Sequence, residues 1–366
     1  MLSGYYRIER LDQGLAARKL FVADEPVFSR RPEFSAFTEG AIVLVADEPV
    51  DGDRISLLAE GGTAKARVWT ILDDYAVDPH YPDAVHKEVN HLLDNPGIDD
   101  PALMDMTDLA FVTIDNEDSR DLDQAMYIRT DDHGYTVYYA LADAAFYIPT
   151  DSALFANALL RGASYYLPEF SVPMLPSALS EGKGLISLNP QVLRRALVFI
   201  IRLDDKAEVI DSRIQRARIL SRAKLSYNGV QAFQDDPAAS PLAGQAFSET
   251  LILLKTIGEK RVDLARRRNV VEYDRMSLSV QYAGANGERF TISEDHRLDV
   301  ESWNEQISLL CNHEGANLLR EALDGHDIQP IFRVHMAPEP ERLKKFSALL
   351  DALVAEHDLP REIWIW

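Results

Sequence analysis

An α+β fold is predicted, with a small strand-rich module ahead of a larger region in which strands and helices mix. Two observations predict it. The first 80 residues hold short apolar runs broken by Gly and Asp turns. Beyond about residue 107, β-rich runs share the chain with amphipathic stretches, above all 247–267, where Leu251, Leu253, Leu254, Ile257, Val262 and Leu264 recur at helical spacing.

In the first module, Gly40-Ala-Ile-Val-Leu-Val45, Ile55-Ser-Leu-Leu58 and Ala66-Arg-Val-Trp-Thr-Ile-Leu72 read as strands. A Val50-Asp-Gly-Asp53 turn and a Gly61-Gly62 turn separate them, which predicts a small β-barrel-like module over 1–80. Residues 81–106 read as a linker carrying one helix over 84–93. In the region 107–366, strands are expected at 109–114, 121–129, 135–142, 196–203, 271–281 and 330–335, and helices at 152–162, 247–267, 300–323 and 339–356. No internal repeat, heptad array or low-complexity tract interrupts this order.

Apolar residues make up 46% of the chain, with four Trp, 14 Tyr and 14 Phe, which excludes wholesale disorder. The 59 acidic and 38 basic residues give a formal net charge of −21, which opposes non-specific attraction to nucleic acid. A basic lining inside a channel would still be compatible with that exterior. The single cysteine, Cys311, cannot form an intrachain disulfide and reads as a small core residue. The N-terminus has no signal-peptide core, and the longest apolar run, Ala196-Leu-Val-Phe-Ile-Ile201, is too short to cross a bilayer. A soluble, cytoplasmic protein with no membrane partner is expected.

The most informative stretch is Asp115-Asn-Glu-Asp-Ser-Arg-Asp-Leu-Asp123, set between two strand-like runs. Carboxylates this dense repel one another unless a cation or water intervenes, and hard divalent metals take such oxygen ligands. Asp121 and Asp123 are two apart, so an extended strand would place them on one face. The same residues also suit an acidic, solvated turn. An EF-hand is excluded, because the sixth and twelfth loop positions hold Arg120 and Met126. No nucleotide fingerprint surrounds Gly182-Lys-Gly184, and Gly-x-Ser-x-Gly, His-Glu-x-x-His and Cys-x-x-Cys are absent from the sequence.

Thr113-Ile-Asp115, five residues, then Asp121-Leu-Asp123 resembles the opening signature of the ribonuclease II/R family, whose catalytic domain is called RNB. Further blocks follow in the family's order. They are Tyr139-Ala-Leu-Ala-Asp143 with Tyr147, Ser152-Ala-Leu154, Arg161-Gly-Ala-Ser164, Tyr166-Leu-Pro168, Pro173-Met-Leu-Pro176, Leu179-Ser180 and Ser187-Leu-Asn-Pro190. Asn304-Glu305 with Asn312 and Arg333-Val-His335 with Pro338 complete a series spanning about 107–340.

The resemblance implies an RNB-type catalytic domain behind an oligonucleotide-binding, cold-shock-like module. It implies Mg²⁺-dependent (or Mn²⁺-dependent) hydrolysis of single-stranded RNA from the 3′ end to nucleoside 5′-monophosphates. Asp115, Asp121 and Asp123 would hold metal, Tyr166 would clamp the terminal base, and Arg194 would stand near the substrate. Two departures qualify that picture. A carboxylate is expected at position 124, where the chain has Gln124, so the catalytic group Asp115, Asp121, Asp123 and Gln124 lacks one anionic ligand. The family's domain also continues beyond the Arg-Val-His strand into an Arg-rich segment, so the RNB region reads as partial. Both departures favour a rival reading, a weakened or inactive RNB homologue acting as an RNA-binding or protein-interaction module; a third reading is a fragment of a longer ribonuclease.

Overall fold

The structure, a computed structural model, describes residues 3–22, 25–50, 53–268, 270, 276–321, 331–332 and 337–364. The chain divides into two compact units, residues 1–311 and 312–366. The first unit opens with strands β1 (Gly4–Leu11), β2 (Gly14–Lys19), β3 (Phe28–Ser29), β4 (Ile42–Val50) and β5 (Asp53–Ala59). These form an antiparallel sheet in the order β3-β2-β1-β4-β5. Alternation puts Tyr6, Ile8, Ala17, Val43 and Val45 on one face, where they pack with Phe34.

Helix α1 (Ala64–Asp74) occupies the segment whose 66–72 portion reads as a strand in sequence. The correction has a local cause. Thr63 is an N-cap, its hydroxyl accepting from the Ala66 N–H at 3.1 Å, and the buried Ala64, Val68, Trp69 and Leu72 follow helical spacing. Helix α2 (Asp83–Asp94) follows, and its Val85 and Val89 belong to the buried core together with Tyr147 and Leu154.

Next come β6 (Met104–Asp105), β7 (Val112–Asp115), β8 (Gln124–Asp131), β9 (Gly134–Ala142), α3 (Ala144–Tyr147), α4 (Ala153–Arg161), β10 (Tyr165–Leu167), β11 (Phe170–Val172) and α5 (Ser177–Ser180). Then follow β12 (Leu193–Leu203), β13 (Val209–Leu220), β14 (Ala223–Ser226), α6 (Tyr227–Asp235), α7 (Ser248–Arg267), β15 (Ser277–Ala283), β16 (Arg289–Asp295), α8 (Asp299–Glu321) and α9 (Pro340–His357). Seven strands make one mixed sheet, β14-β7-β8-β9-β12-β13-β6, parallel at β14–β7 and β13–β6 and antiparallel elsewhere. Its core includes Phe111, Ala125, Ala140, Val198, Ile200 and Ile219. β10 and β11 form a separate hairpin, as do β15 and β16.

β7 pairs with β8 only at Val112 and Met126, so the rest of that β8 edge would otherwise leave backbone groups unpaired. The buried Thr250 hydroxyl of α7 meets that edge, bonding the Ile128 N–H at 3.2 Å and its carbonyl at 3.3 Å. Helices read at 152–162, 247–267, 300–323 and 339–356 all form within a residue or two of those bounds. The strand read at 121–129 starts instead at Gln124, and that read at 109–114 is Val112–Asp115. Strand β13 was not read in sequence. The first five residues of the strand read at 271–281, and the Arg333-Val-His335 strand with His335, lie outside the described residues. α8 begins in the first unit and ends in the second, where α9 buries no residue. No helix among the described residues is long and apolar enough to cross a membrane.

Candidate active site

The acidic stretch is the connection from β7 to β8, at the end of the sheet where β7 and β9 finish and β8 begins. Asp115 closes β7, and one of its carboxylate oxygens accepts the Asn116 N–H at 2.7 Å. Asp121 and Asp123 are not on a strand, so the two-residue alternation that would put them on one face does not operate. Their placement comes from the loop itself, which is tied down at four points. The Ser187 hydroxyl accepts the Leu122 N–H at 3.0 Å, and the Leu122 carbonyl accepts the Leu188 N–H at 2.7 Å. The Arg120 carbonyl accepts the Gly182 N–H at 2.9 Å. Lys224 of β14 donates to the carbonyls of Glu117 at 2.8 Å and Ser119 at 2.5 Å. The Ser-Leu-Asn-Pro block thus has a physical role: Ser187 and Leu188 hold Leu122, and Leu122 separates the two aspartates.

Electrostatics mark Asp123 as the strained member. Its residue surface remains open to solvent, but dense surroundings push the carboxyl pKa upward, and the charges of Asp121 and Asp115 push the same way. A side-chain hydrogen bond from Gln124 acts in the opposite direction. Tyr166, on β10, donates its phenol proton to Asp121. Burial first, then this bond, raises the Tyr166 pKa to about 12, so the phenol is a donor throughout the neutral range. Tyr166 as a whole is 67% exposed and lines a cavity of about 380 Å³ with Asp118, Arg120 and Asp121. Asp118 is an exposed turn residue.

Three carboxylates are the right chemistry for Mg²⁺, while the Gln124 amide oxygen is taken up by the Tyr139 and Ser308 hydroxyls. The buried Thr113 hydroxyl has no hydrogen-bond partner among the described residues, and with Asp115 and Asp123 it lines a small, partly open cavity of about 30 Å³. That volume exceeds what one small polar occupant needs. Among the described residues, however, no three Asp, Glu, His or Cys side chains converge into a ready-made cage. The residues fit such an ion in charge and chemistry, without a closed cage around it.

Arg194, expected near the substrate, is a buried residue bonded to backbone. It is 7% exposed, and its guanidinium donates to the carbonyls of Ser187 at 2.8 Å, Gly184 at 3.0 Å and Leu193 at 3.1 Å. A guanidinium so occupied, with four of its five N–H donors given to backbone carbonyls, holds the 183–187 loop. Its neighbour Arg195 points to the opposite face, where it lies 3.5 Å from fully buried Asp143 and donates to the Gly97 carbonyl at 2.7 Å. Gly97 has a left-handed φ of 65°, and a Cβ there would meet Phe146 at 2.7 Å. Glu305 of α8 pairs with Arg297 at the surface, a structural role. Sequence reasoning missed Lys224, Tyr227 and Ser308. Tyr227 accepts from Asn304 at 3.1 Å, and burial first, then the charge of Asp115, pushes its phenol pKa upward.

The RNB domain family matches residues 103–363, so this chain belongs to the RNB-domain family. It is 28% identical to ribonuclease R of Mycoplasma pneumoniae over 369 residues, covering 97% of this chain and 49% of that protein. It is 29% identical to ribonuclease R of Escherichia coli K12 over 354 residues, covering 94% and 40%. The chain therefore spans less than half the length of these curated relatives. Among solved structures, Mycoplasma genitalium RNase R in complex with ribose-methylated single-stranded RNA aligns with a TM-score of 0.74 at 22% identity, covering 98% of this chain and 56% of that one. Yeast Ssd1, a pseudonuclease, aligns with a TM-score of 0.55 at 14% identity, covering 94% and 44%. Both show the shared fold.

Proposed function

We propose that this chain is a hydrolytic exoribonuclease module that takes single-stranded RNA from the 3′ end and releases nucleoside 5′-monophosphates. The observation that carries the reading is the clamped 115–123 loop, with Tyr166 bonded to its Asp121, in a chain of the RNB-domain family. Asp115, Asp121 and Asp123 would hold Mg²⁺ or Mn²⁺. Such an ion supplies Lewis-acid polarisation of the phosphate and a water of lowered pKa.

The protein's own contribution is position. Ser187, Leu188, Gly182 and Lys224 fix the loop before substrate arrives, so the carboxylates need little rearrangement. Tyr166 is largely exposed, and a terminal base can stack on its ring, an interaction worth about 1–3 kcal/mol per base. Its hydroxyl registers that ring against Asp121. The relatives carry further chain beyond what aligns here, and activity of the whole protein is part of this proposal.

The second reading, a non-catalytic RNB module, draws on Gln124 and on carboxylates that form no closed cage. One experiment separates the two. Purified protein is incubated with 5′-labelled single-stranded RNA, with Mg²⁺ or with chelator, and products are resolved at single-nucleotide length. Metal-dependent stepwise shortening from the 3′ end is expected, with loss in Asp115→Asn. Intact RNA under all conditions, together with saturable RNA binding, would establish the second reading.

A further inference from the structure

Arg120 stands inside the acidic loop, one residue before Asp121, and lines the same cavity of about 380 Å³ as Tyr166. Four carboxylates border that space, those of Asp118, Asp121, Glu169 and Glu181. One of them would ordinarily neutralise a guanidinium set in their midst. Here the fold gives three of them other partners. Asp121 accepts the Tyr166 phenol proton, Glu169 pairs with Lys65 at 3.1 Å, and Glu181 accepts the Ser171 hydroxyl proton. The fourth, Asp118, is an exposed turn residue. The Arg120 side chain is exposed too, and among the described residues it makes neither a hydrogen bond nor an ion pair.

The backbone that carries it is held on both sides. The Arg120 carbonyl accepts the Gly182 N–H at 2.9 Å, the Ser119 carbonyl accepts Lys224 at 2.5 Å, and the Leu122 N–H donates to Ser187 at 3.0 Å. A fixed stem therefore presents a planar fork of five donors, a shape that matches phosphate oxygens in pairs. The cavity is within the size range of small-ligand sites.

We propose that Arg120 binds a phosphodiester group of an RNA strand, beside the nucleotide whose base stacks on Tyr166. It thereby offsets the repulsion that an acidic cavity exerts on an incoming strand. No intramolecular ion pair among the described residues has to break first, so the guanidinium is available when the strand arrives. The inference rests on the RNA reading above and adds to it the group that takes the phosphate.

The test uses the full chain and a 5′-labelled oligoadenylate, followed by fluorescence anisotropy at several salt concentrations with chelator present so that no strand is cut. Arg120→Ala should weaken binding about tenfold. It should also lower the slope of log affinity against log salt by about 0.7, the share of one phosphate on a single strand. The substitution leaves in place the carbonyl that Gly182 holds, so the denaturant midpoint should not move. Arg120→Lys should keep the slope and recover part of the affinity. Arg120→Ala combined with Tyr166→Ala should cost less than the product of the two single losses, because both side chains hold one nucleotide. Unchanged affinity and slope in Arg120→Ala, with wild type still binding, overturn the proposal and spare the RNA reading. A weaker but slope-neutral variant with a lowered denaturant midpoint also overturns it, since that marks a structural role. If wild type binds the strand and with Mg²⁺ does not cut it, the hydrolytic reading fails, and the binding series still decides Arg120. If wild type binds no single strand, both fall together.

Discussion

Arg194 and Arg195 are adjacent, identical in type and set to opposite tasks by strand alternation. Sequence pattern locates Arg194 just after the Ser-Leu-Asn-Pro block but cannot tell whether its guanidinium meets a phosphate or backbone. The acceptors come from Ser187 and Gly184, which only the folded chain brings into reach. Removing a buried donor leaves each abandoned acceptor unsatisfied, at roughly 1–3 kcal/mol per group. Arg194→Ala should therefore lower stability by about 2 kcal/mol or more, read from the denaturant midpoint. RNA affinity of the folded fraction should change less than twofold. Arg194→Lys should not restore stability, since a point-like ammonium cannot replace a planar fork. A stable Arg194→Ala protein with weakened RNA binding would return Arg194 to the substrate side.

At the level of elements, α1 shows where period and composition conflict. Val68, Trp69, Thr70 and Ile71 are the residue types of a strand, and alternation over so short a window is persuasive. Thr63 as a cap and the helical spacing of the buried positions were also present in the sequence, and they prevail. The long amphipathic helices were legible because 20 residues of consistent period leave no rival. β13 was not, because Arg213, Arg216 and Arg218 interrupt its apolar pattern over a mostly exposed face. α1 also links distant parts: Trp69 lies 4.8 Å from the Tyr5 ring and stacks at 5.3 Å on Phe170, in the hairpin that carries Tyr166. Trp69→Ala should cost about 3–5 kcal/mol of stability. It should also accelerate amide hydrogen exchange across 165–172 more than across β12. Uniform acceleration would show that Trp69 supports the core without steadying the hairpin.

For the whole molecule, the ordered series of motifs made the family legible from sequence, while the acidic balance pointed away from nucleic acid. What stayed hidden was the convergence of separate segments on one loop. Gly182 and Ser187 come from the stretch that follows α5 and Lys224 from the edge strand β14, while Ser308 of α8 meets Gln124 where β8 begins. None of these pairings has a local signal, since each spans many tens of residues and depends on strand order. The candidate site was thus readable as a list of carboxylates, while the scaffold that gives them geometry was not.

That scaffold makes the acidic loop a stability sensor. Pinned carboxylates cannot drift apart to dissipate their repulsion, so the native state carries that energy and the unfolded chain does not. Any cation that settles among them stabilises the fold by mass action, about 2.7 kcal/mol when free ion is a hundredfold above its dissociation constant. The melting temperature should climb with Mg²⁺ and fall back with chelator. Asp123→Asn should act with opposite signs in the two conditions. Without ion it melts higher than wild type, because the charge pressed upon by Asp121 and Asp115 is gone, and with Mg²⁺ it gains less. A wild-type melting curve indifferent to Mg²⁺ would mean that the loop is simply an acidic turn held still.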